Sequence, residues 1–167
     1  MAVVNTKASA ITAGDTAGQL AKKNLQGGIL KESSGLVAVA NGDSIASTLR
    51  VCRIPSSARV SRVLLNCTAI TSAAGDIGLY ATAADGGAVL DADLFASAQS
   101  IASALVNNTD VTYESGIITA ANYEQPLWAL LGLTSDPGKQ YDVVITLTAA
   151  ATAAGTVSLK VQYVDGN

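Results

Sequence analysis

A chain of 167 residues suffices for one domain burying roughly two thirds of its unfolded surface, yet its apolar share of 49% comes largely from Ala and Val, with one Phe, one Trp and five Tyr. Histidine is absent, which excludes the commonest general base, the commonest zinc ligand and every Ser-His or Cys-His nucleophile pair. The net charge of −3 conceals a division: eight Lys/Arg against three acids up to Arg62, or +5, then two against ten from Val63 onward, or −8. Such a division biases how a chain meets charged neighbours, copies of itself included. Small core side chains imply modest stability for a lone copy, which burial between subunits would raise. Both features point towards assembly.

Met1 to Ala10 lacks a basic stretch followed by an apolar run, so it does not read as a signal peptide. No segment approaches the roughly 18 apolar residues of a membrane span. The expectation is a soluble protein with no membrane partner.

The first 35 residues read as an N-terminal arm or irregular lead-in, with Gly14, Gly18, Gly27, Gly28 and Gly35 and no sustained alternation. Thr16 to Leu25 could form a short helix, ended by Gly27 and Gly28. The stretch is either a solvated tail or an arm that orders on a neighbouring subunit. Leu20, Leu25, Ile29 and Leu30 favour the arm, and Lys22, Lys23 and Lys31 accompany them.

Residues 36–167 read as a β-sandwich domain. Leu36 to Ala40 is a short strand before an Asn41-Gly42-Asp43 turn, followed by strands at Ala46 to Ile54 and Arg59 to Ala69, paired as a hairpin closed by Pro55 to Ala58. In that register Arg53 and Arg62 emerge on one face and Arg50 and Arg59 on the other. Cys67 lies about six residues, roughly 20 Å, beyond the position opposite Cys52, outside disulfide reach, so both thiols are expected reduced, as in a cytoplasm. Asp76 to Ala81 alternates as a strand. Asp91 to Ala104 places Leu94, Phe95, Ala98, Ile101 and Ala102 at helical spacing, predicting a short helix. Val111 to Tyr113 and Ile117 to Ala120 read as brief strands, and Pro126 before Leu127 to Leu131 as a helix start stopped by Gly132, with a buried strand as the competing reading. Tyr141 to Leu147 and Val157 to Tyr163 alternate most clearly and are read as one antiparallel pair joined through Ala149 to Gly155. Several short strands with one or two short helices indicate a mainly β, antiparallel sandwich of the jelly-roll or Greek-key type.

Chemistry-bearing motifs fail on spacing. Asp91 with Asp93 is the tightest acid pair, and at a helix start it reads as a cap rather than a hydrolytic dyad. Gly132 to Lys139 has five residues between its glycines where a phosphate-binding loop has four, and Gln140 stands where Ser or Thr must ligate magnesium, leaving an Asp136-Pro137-Gly138 turn. Asp15-Thr16-Ala17-Gly18 lacks the second copy an aspartic protease needs, and Asp85-Gly86-Gly87 is a tight turn. The sequons at Asn66 and Asn107 are chance matches. The arginines Arg50, Arg53, Arg59 and Arg62 form no stripe and have no stacking aromatics beside them, so carboxylates on an adjacent subunit are better partners for them than nucleic acid. Trp128 reads as a core anchor before a ligand-stacking residue.

The run LRVCRIPSSARVSRVLLNCTAITSAAGDIGLY, then DADLFASAQSI, then QPLWALLGLTSDPGKQYDVVITLTAAATAAGTVSLKVQYVDGN, resembles small virion proteins of tailed bacteriophages. The likeness covers roughly residues 45 to 167. It implies a capsid decoration, or cement, protein: a jelly-roll subunit on the capsid exterior, assembled in the host cytoplasm, which binds the major capsid protein and bridges capsomers. No catalytic, cofactor or metal residue comes with it. The binding candidates are Leu20, Lys22, Lys23, Leu25, Ile29, Leu30, Lys31 and the four arginines, with a homo-oligomer, dimer or trimer, expected. A tail, baseplate or fibre subunit is the alternative, and a carbohydrate-binding module, for which exposed aromatics are scarce, the third.

Overall fold

A computed structural model describes residues 28–165. Eight strands form two four-stranded antiparallel sheets: β1 (Leu30–Val39), β2 (Thr48–Pro55), β3 (Arg59–Cys67), β4 (Ala74–Ala81), β5 (Val89–Ser100), β6 (Leu105–Asp110), β7 (Gln140–Ala149) and β8 (Gly155–Val164). One sheet has the order β1-β8-β3-β6 and the other β2-β7-β4-β5. Within them β1 pairs with β8, β2 with β7, β3 with β6 and β4 with β5, all antiparallel. This is a nested ribbon, first strand against last, rolled so that β3 also meets β8 and β4 also meets β7. Two sheets built this way are a jelly roll, which bears out the expected sandwich and specifies it.

Nesting overturns two expected pairings. Among consecutive strands only β4 and β5 share a sheet, so β2 and β3 are not a hairpin: Pro55 to Ala58 carry the chain from one sheet to the other. The two strongly alternating strands, β7 and β8, likewise lie in opposite sheets and face each other across the core. Their alternation is real, and sequence neighbourhood misled the pairing. Cys52 and Cys67 consequently sit in different sheets, and both are free. Burial pushes the Cys52 thiol up to about 12.

The expected helix over Asp91 to Ala104 is a strand. β5 carries register shifts against β4 at three places and a left-handed residue at Ala98 (φ 49°). Each bulge adds a residue and resets the two-residue phase, so the buried positions Leu94, Phe95 and Ile101 fall at helix-like intervals. The acid pair follows: Asp91 accepts the Asp93 N–H at 3.2 Å within the strand and caps no helix. Burial raises the Asp91 carboxyl above its usual range, with hydrogen bonds from Asp93 and Leu94 working against that.

The short strands expected at Val111 to Tyr113 and Ile117 to Ala120 are turns, and the missing edge strand is the polar β6 just before them. Val111 and Ile118 nonetheless enter the core, and Ser115 finishes the free edge of β5 by donating its N–H to the Phe95 carbonyl. The helix after Pro126 is present as the single turn α1 (Leu127–Leu130), released by Gly132 at φ 76°. Leu127 is its core anchor, fully buried, while Trp128, expected in that role, is half-buried. β1 begins at Leu30, so residues 30–35 of the expected lead-in form the first half of an edge strand.

Between the sheets lie Ile54, Val63, Leu65, Ile77, Leu79, Phe95, Val143, Ile145, Leu147, Val157, Leu159 and Val161. Burying each such side chain contributes about 1.5–3 kcal/mol, so a core of Val, Ile and Leu supplies cohesion with one Phe. Two glycines admit close backbone approaches. At Gly35 a Cβ would collide with the Val51 carbonyl, where β1 closes against β2; at Gly78 it would collide with the backbone of Asp91 and Ala92, where bulged β5 folds over the outer face of β4. That fold-over is why Val144, on the outward phase of β7 opposite Gly78, is fully buried.

Candidate interaction surface

The topology sorts the loops into two ends. The distal end carries residues 40–47, 68–73, 101–104 and 150–154, tied together by Gly42 N–H to Ala151 O, Ile70 N–H to Ile101 O and Thr152 N–H to Thr71 O. At the other, terminal end lie residues 56–58, 82–88 and 111–139, the start of β1 and the end of β8. Leu127 N–H to Ala58 O and Ser56 N–H to Lys139 O join these loops.

The four sequence-singled arginines do not split two and two across a hairpin. A register shift between Arg50 and Cys52 brings Arg50 and Arg53 onto one carboxylate. Arg50 Nη1 donates to Asp142 Oδ2 at 2.8 Å and Arg53 Nε to Asp142 Oδ1 at 2.6 Å. Arg50 also donates to the carbonyls of Ala81 and Gly87, both at 2.9 Å, and lies 5.5 Å from the centre of the Tyr80 ring. The guanidinium thus pins the β4–β5 turn to β2 and β7. Tyr80 in turn bonds the Thr146 hydroxyl at 2.7 Å. Burial pushes the Asp142 carboxyl up, but hydrogen bonds and charge from Arg53 and Arg50 outweigh this and hold it below the usual carboxylate range.

Arg59 donates to the Glu124 carbonyl, and Arg62 lies 3.9 Å from Asp110. Lys31 pairs with Asp165 at 2.8 Å, and Lys139 with Asp85 at 2.8 Å. Ile29 and Leu30 are exposed beside them, while Leu20, Lys22, Lys23 and Leu25 lie outside the described residues. The carboxylates that face the basic strands are therefore supplied by this chain. Asp142 was missed in the sequence because an acid on the outward phase of an apolar strand looks solvated; only its pairing with β2 reveals two arginines across the ladder.

The outer face of the first sheet holds a shallow groove of about 410 Å³ lined by Leu36, Asn66, Thr68, Leu105, Val106 and Ser158 among others. Leu36 and Val106 are exposed at its sides. Asn66 is held there by a reciprocal pair of 2.8 Å hydrogen bonds with Asn108, so this sequon asparagine is engaged in a strand ladder.

Among solved structures, the chain is similar to one described as the cyanophage Pam1 capsid asymmetric unit, with a TM-score of 0.53 and 23% identity over 82% of this chain and 85% of that one. The likeness is one of fold: the sandwich is shared nearly end to end. No protein-family model matches the chain, and no curated protein matches it by sequence.

Proposed function

We propose that this chain is a structural virion protein that binds the outer surface of a phage capsid, contacts the major capsid protein and bridges neighbouring capsomers. The observation that carries the reading is the sandwich shared over 82% of the chain with a component of a cyanophage capsid. A chain without histidine, whose described arginines are engaged in internal ion pairs or carbonyl contacts, is suited to adhesion rather than turnover. On this reading the protein works without catalysis and without a cofactor.

The mechanism is physical. A shell under internal pressure fails where capsomers part, and a subunit seated on two of them adds contact area that must be lost first. Repetition over the shell sums modest affinities into avidity. Self-association into a dimer or trimer would multiply the contacts per unit. Cryo-electron microscopy of virions with and without the gene tests this: density on the shell should disappear, and the particles should rupture at lower temperature. Label on the tail instead, or unchanged shells, would sink the reading.

A further inference from the structure

The two ends of the sandwich differ in the chemistry they offer a protein surface. Eight of the eleven exposed large apolar side chains among the described residues, Leu90, Tyr113, Tyr123 and Leu133 among them, are brought by the topology to the terminal end. Arg59, Tyr123 and half-buried Trp128 stand there too. Arg, Tyr and Trp are the residue types that dominate binding energy at protein interfaces. The distal loops contain none of these three, a single charged residue, Asp43, and one exposed large apolar side chain, Ile45. Asp43 is turned inward on its own loop, accepting the Ala40 N–H at 2.9 Å.

Resting on the reading above, we propose that the terminal end is the docking end: the surface that carries most of the exposed apolar and aromatic side chains seats on the protein shell, and the Ala/Ser/Thr-rich distal end points to solvent. The contact is mainly apolar and aromatic burial, because the described cations of this end, Lys31, Lys139 and Arg59, already contact Asp165, Asp85 and the Glu124 carbonyl of the same chain.

The test uses the full-length chain and shells of its parent phage stripped of this protein. Leu90→Asp combined with Leu133→Asp places charges at the terminal end, and Ile45→Asp places one at the distal end; near-ultraviolet circular dichroism checks that each variant folds. The terminal variant should bind shells at least tenfold more weakly and the distal variant as wild type does. As a measurement that does not depend on tolerance of aspartate, a photo-cross-linking residue at position 133 should couple to a shell subunit, and one at position 45 should not. Loss of binding confined to the distal variant, or cross-linking only from position 45, overturns the orientation, as does binding unaffected by both variants. Wild-type protein that binds no stripped shells overturns the underlying reading, and this one with it.

Discussion

Asp142 shows how much one side chain organises here. It is 4% exposed, lies on the outward face of β7, and receives two guanidinium groups from neighbouring positions of β2. A buried carboxylate is stabilising only while both partners stay. Asp142→Asn keeps the shape but removes the charge, leaving Arg50 and Arg53 with a neutral acceptor, and a loss of about 1–3 kcal/mol in urea unfolding at neutral pH is expected. The pH dependence follows from the direction of the shift. The folded carboxyl titrates below its unfolded value, near 3.9, so its contribution is complete above that value and is lost as pH falls through the folded one. The gap between wild type and Asp142→Asn should therefore narrow as unfolding is repeated from pH 7 towards about pH 2, and a gap that widens would rule the ion pair out as its source. Little of this could be read in the sequence, because the geometry depends on the bulge after Arg50 and on a partner strand some ninety residues away (; separations of 92 and 89 residues).

At the scale of elements, strands declared themselves where one face is buried and the other is wet. β8 alternates in burial, and β7 keeps Tyr141, Val143, Ile145 and Leu147 on its inward phase although Asp142 and Val144 opposite them are also buried; both strands stand where periodicity places them. Elements were lost where an edge or a bulge breaks the phase. β6 reads Leu-Val-Asn-Asn-Thr-Asp because it is an edge strand with one inward residue, Leu105, before the left-handed Asn108. The first half of β1 hides its inward phase in Ser33 and Gly35, small because β2 passes so close. This relocates the boundary between lead-in and domain and gives a truncation series two distinct outcomes. Removing residues 1–27 spares every described strand and should leave the thermal midpoint of the sandwich essentially unchanged. Removing residues 1–39 takes Val37 and Val39 from the core and exposes the edge of β8. That deletion should cost about 3 kcal/mol or more and promote aggregation, read by thermal melting and light scattering. Equal midpoints for the two deletions would mean that β1 adds nothing to the fold.

For the molecule as a whole, the charge division of the sequence acquires a different meaning once the ribbon is nested. A first-to-last pairing lays the basic early strands beside the acidic late ones: Lys31 of β1 meets Asp165 just past β8, Arg50 and Arg53 of β2 meet Asp142 of β7, and Arg62 of β3 meets Asp110 of β6. The asymmetry that suggested attraction between copies is thus answered in large part inside one copy. Exposed pairs of this kind add little stability each, but opposite net charge on the two halves steers their encounter. Cutting the chain between Gly86 and Gly87, in the turn that joins β4 to β5, separates a first fragment with eight Lys/Arg and five acids, +3, from a second with two and eight, −6. Every nested strand pair then runs between fragments. Neither half owns a complete core, since each sheet draws two strands from either side of the cut. Co-expressed fragments should therefore copurify as a folded complex, each alone should lack near-ultraviolet dichroism, and their association rate should fall as salt is raised from low concentration to about 0.5 M, where the screening length shrinks to a few Å. A fragment that folds unaided would contradict the nested architecture's demand for both halves, and association indifferent to salt would show that the charge division plays no part in bringing them together.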